Sequence, residues 1–198
     1  MFSIKKHKFR LVFLLSFVLL AALAIGVRLY WINAHYPSPK IEIYELNDAV
    51  QLGSYEITFC DWQWGNGQLM HQVYPGYRLL PDESGNDYPE ELMRLGIAEI
   101  QITKIKNDDS TVDLTKIYYE SGAWGNMFDA ELMYGINPGL QEFVFKLDEG
   151  ESVKIHMPIT MINQQFSDKH WRKIDSRTFY IVLQYYPDKI LFKCPVSN

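Results

Sequence analysis

The chain has 198 residues, 47% of them apolar and 22% charged, with a formal net charge of −5. It can bury a core and is not a disordered acidic tail. The acidic balance excludes general nucleic-acid binding, which needs an excess of Lys and Arg to displace counterions. Two cysteines exclude a disulfide-rich scaffold and a four-cysteine zinc site.

The average charge hides a division. Lys5, Lys6, Lys8, Arg10 and Arg28 stand in the first 28 residues without any Asp or Glu, whereas residues 29–198 carry a net charge of −10. Between Arg10 and Arg28 runs LVFLLSFVLLAALAIGV, 17 uncharged residues. At about 1.5 Å per helical residue this nearly crosses a hydrocarbon core of roughly 30 Å. With Arg28 snorkelling, Leu29 to Ile32 extend the span, and Tyr30 and Trp31 reach the far interface. The expected organisation is a cytoplasmic basic head at 1–10, a transmembrane helix at 11–32, a Pro-containing stalk at 33–40 and an extracytoplasmic domain at 41–198. The positive-inside bias orients the N-terminus inward. The alternative is a secreted protein whose signal peptide is cleaved at Ala22-Leu23-Ala24.

In the stalk NAHYPSPK, Pro37 and Pro39 remove backbone donors and impose extended conformations. From Ile41 the apolar period is two. It places Ile41 and Ile43 on one face, then Tyr55, Ile57 and Phe59, then Ala98, Ile100 and Ile102. Later runs align Phe143, Phe145 and Leu147, then Val153, Ile155, Met157 and Ile159, then Phe179, Ile181, Leu183 and Tyr185, with a hairpin around Tyr186-Pro187-Asp188-Lys189. Breakers at Gly53, Gly65, Gly67, Pro75-Gly76, Ser84-Gly85-Asn86, Asn107-Asp108-Asp109, Asn137-Pro138-Gly139 and Glu149-Gly150 give sandwich-like spacing. Short helices are expected at Pro89–Leu95, where Pro and two early acids suit a first turn, and at Ile162–His170. The expected fold is all-β: an immunoglobulin-like antiparallel β-sandwich of about seven or eight strands behind one N-terminal transmembrane helix.

This layout, with the segment Leu147-Asp148-Glu149-Gly150-Glu151-Ser152 leading to Ile155-His156-Met157-Pro158 before a final hairpin, resembles membrane-anchored immunoglobulin-like (telokin-like) extracytoplasmic proteins of Gram-positive bacteria. The resemblance implies fold and location, and transfers no catalytic residues.

An anchored β-domain of this size invites comparison with a sortase, but the chain order fails. Beyond the expected membrane span only His35, in the stalk, precedes Cys60, and no Arg follows Cys194. There is no G-x-S-x-G elbow, H-E-x-x-H pair, phosphate loop or G-x-G-x-x-G turn. No catalytic residue, cofactor or metal is therefore expected. The oxygen-rich loops Asp82-Glu83…Asn86-Asp87 and Asn107-Asp108-Asp109-Ser110…Asp113 lack the spacing of a calcium loop and read as solvated turns. Cys60 and Cys194 are a disulfide if the first and last strands bring them together, and otherwise two reduced small hydrophobes.

A repeated Trp-Gly-Asn marks Trp62-Gln63-Trp64-Gly65-Asn66 and Ala123-Trp124-Gly125-Asn126 as aromatic-bearing turns. Trp62, Trp64 and Trp124, with Tyr118 and Tyr119, form either an exposed stacking surface for an envelope sugar or peptide, or a cap on the open end of the core. The expected function is a non-catalytic binding module of the cell envelope, whose partners are the membrane and an envelope protein, peptide or glycan. An accessory subunit of a membrane complex is the alternative, and an envelope enzyme a further one.

Overall fold

The computed structural model describes residues 3–36, 38–77 and 88–196, with side chains from residue 13. The chain divides into two compact units, 1–40 and 41–198. In the first, α1 runs Ser3–His35, and 23 of its residues, Phe13–His35, are long and apolar enough to cross a membrane. The large apolar side chains from Phe13 to Leu29 are 55–68% exposed, so no protein core buries them. The helix continues through residues 33–35 of the expected stalk and stops ahead of Pro37, whose ring disfavours helical backbone at the residue before it. His35 stacks on Trp31 at 4.3 Å in that last turn.

The second unit contains β1 Ile41–Tyr44, β2 Ala49–Leu52, β3 Tyr55–Gly65, α2 Gly67–Val73, β4 Met93–Lys104, β5 Val112–Asp113, β6 Tyr118–Ser121 and β7 Trp124–Met127. It continues with α3 Ala130–Ile136, β8 Val144–Phe145, β9 Ser152–Ile162, α4 Asp168–Trp171, β10 Tyr180–Gln184 and β11 Lys189–Lys193. One sheet is ordered β1-β11-β10-β6-β7, the other β2-β3-β4-β9, and β5 pairs β8 separately. Among the described residues eleven strands thus replace the expected seven or eight, and the β1–β11 pair is parallel, so the sandwich is not wholly antiparallel.

The two larger sheets face each other across the main core. Phe59 of β3 stacks on Phe192 of β11 at 5.3 Å, and the Tyr119 hydroxyl on β6 donates to the Met157 carbonyl of β9 at 2.6 Å. The alternating residues of β3, β4, β9 and β10 point inward as expected, with Phe59, Ile100, Met157 and Ile181 fully buried. At β1 the facing is reversed. Ile41 and Ile43 are 59% and 51% exposed, while Tyr44 packs edge-on against Phe192. Tyr185 lies past the end of β10 and is also exposed.

A second, smaller core lies on the outer side of β4, where Met93, Leu95 and Ile97 are covered by Met70 of α2, by Tyr77 and by Leu132 of α3. It explains why the helix expected at Pro89–Leu95 is reduced to one 3-10 turn, Glu90–Leu92. Met93 and Leu95 pair with β9 as strand residues, and that burial overrides the local preference. The stretch Ile162–His170 likewise splits into a 3-10 turn and the four-residue α4. The expected strand through Phe143, Phe145 and Leu147 survives only as two-residue β8.

Strand β9 forms the outer edge of its sheet, which suits Pro158, a residue with no N–H to donate. The edge is covered by chain. Asn137 at the end of α3 accepts from the His156 N–H at 2.8 Å and donates to the His156 carbonyl at 2.7 Å, and the Asp129 N–H bonds the Pro158 carbonyl. Asp129 also caps α3 through the Leu132 N–H and accepts from Thr160 and Tyr77. Burial and that carboxylate push the Tyr77 phenol well up.

Candidate functional site

Trp62 and Trp64 stand two residues apart on β3, so alternation puts them on one face, the inner one. Their rings stack at 6.0 Å, and Gly96 opposite makes room, since a Cβ there would lie 2.3 Å from Trp62 Cη2. Trp64 meets Phe179 at 5.1 Å, Phe179 meets Trp124 at 5.7 Å, Trp124 stacks on Phe166 at 5.6 Å, and Phe166 meets Trp171 at 5.9 Å. The result is a continuous aromatic array closing one end of the sandwich.

Two arginines hold it. Arg94 donates both Nε and Nη2 to Asp175, at 2.6 and 2.9 Å, and lies over Trp171, while Trp64 Nε1 donates to the same carboxylate at 3.0 Å. The Arg94 bonds hold the Asp175 carboxyl below the usual carboxylate range. Arg177 lies over Phe166, and its Nε and Nη2 donate to the hydroxyl and carbonyl of Ser121.

The structure therefore brings Trp62, Trp64 and Trp124 together, half-buried against the core. They sit on strands, however, and the β6–β7 turn itself is Gly122-Ala123. Tyr119 is fully buried, and burial raises its phenol, so it presents nothing to a ligand. Tyr118, one residue earlier, faces the opposite side of its sheet. The proposed five-residue surface is corrected on both tyrosines. Phe166, Phe179 and Trp171 were missed as partners, because their sequence distance from Trp62 carries no periodic signal.

Two of the hollows on this unit bear on binding. The larger, about 580 Å³, lies between the end of α3 and the start of β9. Its polar groups are largely engaged: Lys154 and His156 on Glu99, Lys146 on Asp109, and Glu151 on the Asp148 N–H. The smaller, about 460 Å³, adjoins the aromatic end and is lined by Gly122, Ala123, His170, Lys173, Ser176 and Arg177.

The thiols do not meet. Cys60 is the extra residue of a β3 bulge, on the outer side, where it contacts the Thr58 carbonyl, and Cys194 is buried in the main core. Both are free, and burial raises the Cys194 thiol far above its ordinary value. Strand β4 runs between Cys60 on β3 and His156 on β9, and the His156 ring is paired with Glu99 of that strand.

In the 107–110 loop the chain supplies its own cation. Lys104, 2% exposed, donates to the carbonyls of Asp108 and Ser110 and pairs with Asp108 at 3.3 Å. Hydroxyl bonds from Ser110 and Ser54 hold the Asp108 carboxyl well below the usual range. The loop at 82–87 lies outside the described residues. Among the described residues no three His, Cys, Asp or Glu converge to hold a metal ion.

A family model described as Domain of unknown function (DUF5028) matches residues 81–190, more than half of the chain and most of the sandwich. The chain belongs to the DUF5028 family. Its match spans β4 through β10 and so includes the aromatic clamp of Arg94, Asp175 and Arg177. Among solved structures, the chain is similar to a conserved hypothetical protein from Bacillus anthracis, with 14% identity and a TM-score of 0.45 over 75% of this chain and 94% of that one. It is similar also to an uncharacterized beta-sandwich protein from Clostridium difficile 630, with 11% identity and a TM-score of 0.43 over 80% and 97%. No curated protein matches this DUF5028 chain.

Proposed function

We propose that this DUF5028 protein is a membrane-anchored module that stands outside the cytoplasm and binds a ligand of the cell envelope without transforming it. The observation that carries the anchoring is the 23-residue apolar stretch of α1, whose side chains no protein surface covers. The five basic and no acidic residues among the first 28, against a net −10 beyond, support an inward N-terminus. Retention of residues 1–28 in the mature protein, read by intact mass of the membrane fraction, tests anchoring against signal-peptide cleavage.

An immunoglobulin-like class is supported by the last two strands, β10 and β11, pairing beside β6 and β7, as the F, G, C and C′ strands do in such sandwiches. The second sheet departs from that pattern, since three of its strands, β2, β3 and β4, precede β6 in the chain. A binding rather than catalytic role is supported by the burial of Cys194 and by the engagement of Glu99 with His156, and of Asp129 and Asp175, in structural bonds.

The second reading, a subunit of a membrane complex, is favoured by one specific surface. Ile41, Ile43 and Met127 are exposed on the outer face of the five-stranded sheet, with Tyr185 and Tyr186 exposed at the β10–β11 turn. Crosslinking in native membranes separates the two: a single stoichiometric partner lost on Ile43→Lys supports the complex, and a monomer supports the binding module.

A further inference from the structure

We infer that the hollow between the β6–β7 turn and the 168–177 segment binds a phosphate group carried by a small organic ligand or headgroup. The inference names the ligand class for the binding-module reading and so rests on it, but it does not depend on membrane anchoring.

The first ground is charge. Residues 29–198 carry a net −10, yet this hollow is lined by the cations Lys173 and Arg177, with the His170 ring beside them, and by no acidic side chain. Like charges gathered without counter-charge are unfavourable, and an anion among them removes that cost. Asp168 and Asp175, the acids of the same segment, do not line the hollow, and Asp175 is committed to Arg94 and Trp64.

The second ground is availability, and here the two hollows differ. In the larger one Lys146 and Lys154 are each paired with a carboxylate. In the smaller one the Lys173 ammonium and the His170 ring have no ion pair or side-chain hydrogen bond among the described residues, and the Ser176 hydroxyl donates to the Lys173 carbonyl, which leaves its oxygen free to accept or to relay. Such unspent donors are what an oxyanion needs.

The third ground is preorganisation. Arg177 is held over Phe166 and bonded to Ser121 through Nε and Nη2, so its guanidinium is placed before any ligand arrives. Nε and one Nη2 hydrogen are spent on Ser121, and the end-on Nη1–Nη2 edge is left as a forked donor. That fork beside two separate donors, Lys173 and His170, offers more hydrogen bonds than the two oxygens of a carboxylate need and suits the several oxygens of a phosphate. A volume of about 460 Å³ admits a small organic phosphate.

A phospholipid headgroup and a soluble phosphate ester share this chemistry. The test titrates the full chain, in uncharged nonionic detergent at constant ionic strength, with glycerol phosphate and separately with micelle-dispersed phosphatidylglycerol, reading the fluorescence of the neighbouring tryptophans. Saturable binding of either probe is expected, weakened about tenfold by Lys173→Gln or His170→Gln. It should be unchanged by Lys146→Gln, which alters the other hollow. Tighter binding of the lipid assigns the headgroup as source, and tighter binding of glycerol phosphate assigns the soluble ester. Absence of saturation with both probes, or equal loss in Lys146→Gln and Lys173→Gln, overturns the inference. Either result leaves the mass and accessibility tests of anchoring standing.

Discussion

At the scale of single residues, the aromatic end depends on one missing Cβ and one carboxylate. Because a Cβ on Gly96 would fall 2.3 Å from Trp62, Gly96→Ala must displace an indole wedged against Tyr119. We expect a loss of about 1–3 kcal/mol in denaturant unfolding, with a shifted tryptophan emission. Unchanged emission would contradict the packing. Asp175 gives a pH signature. Its folded carboxyl titrates below the ordinary value because Arg94 and then Trp64 bond its charged form. The stability this contributes is complete above the unfolded value near about pH 3.9 and is lost as pH falls through the lower folded value. Asp108 and Asp113 act in the same direction. Asp175→Asn should therefore flatten the decline of Tm below about pH 4, and a slope equal to that of the unsubstituted chain would refute the assignment. Asn137 covers the β9 edge with three hydrogen bonds, to Met133 and to both backbone groups of His156. Asn137→Ala should cost about 2 kcal/mol, read by chemical denaturation, because it strands partly buried backbone groups.

At the scale of elements, period-two patterning is reliable in the long strands, β3, β4 and β9, of 11, 12 and 11 residues. In β3, β4 and β9, Ile57, Phe59, Ile100, Ile102, Ile155 and Met157 face inward as their alternation says. It misleads at β1, an edge strand of four residues, where Tyr44 takes the inner position and Ile41 and Ile43 face out. Ile43→Lys should change stability by less than about 0.5 kcal/mol, whereas Ile100→Ala should cost about 2–5 kcal/mol. Equal effects in urea unfolding would show that the facing is wrong. The helices follow the opposite rule. Asn66 and Asp129 are side-chain N-caps of α2 and α3, a signal present in the sequence but masked by the glycines at 65 and 67 and by helices only seven residues long. The acids of Pro89–Leu95 looked like a helix start, but nothing local encodes the second core that draws Met93 and Leu95 into β4. The aromatic site was legible in part for the same reason. Trp62, Trp64 and Trp124 announce themselves by the repeated Trp-Gly-Asn, while Phe166, Phe179 and Trp171 join them only through tertiary contact.

At the scale of the whole molecule, the two units differ in what they bury. The sandwich has two cores of its own, whereas the apolar side chains of α1 from Phe13 to Leu29 are covered by nothing in the chain. A helix of that composition is stable in hydrocarbon, where its backbone bonds are satisfied internally. The net charge of −5 divides into +5 over residues 1–28 and −10 over residues 29–198, and the acidic part is the one proposed to carry ligand binding outside the cytoplasm. Protease accessibility on intact cells expressing the full chain tests this account most directly. The account predicts a membrane-retained protein whose 41–198 body is digested from outside while the α1 fragment is protected. A body protected until the cells are lysed, or a protein recovered without α1 in the soluble fraction, would contradict it.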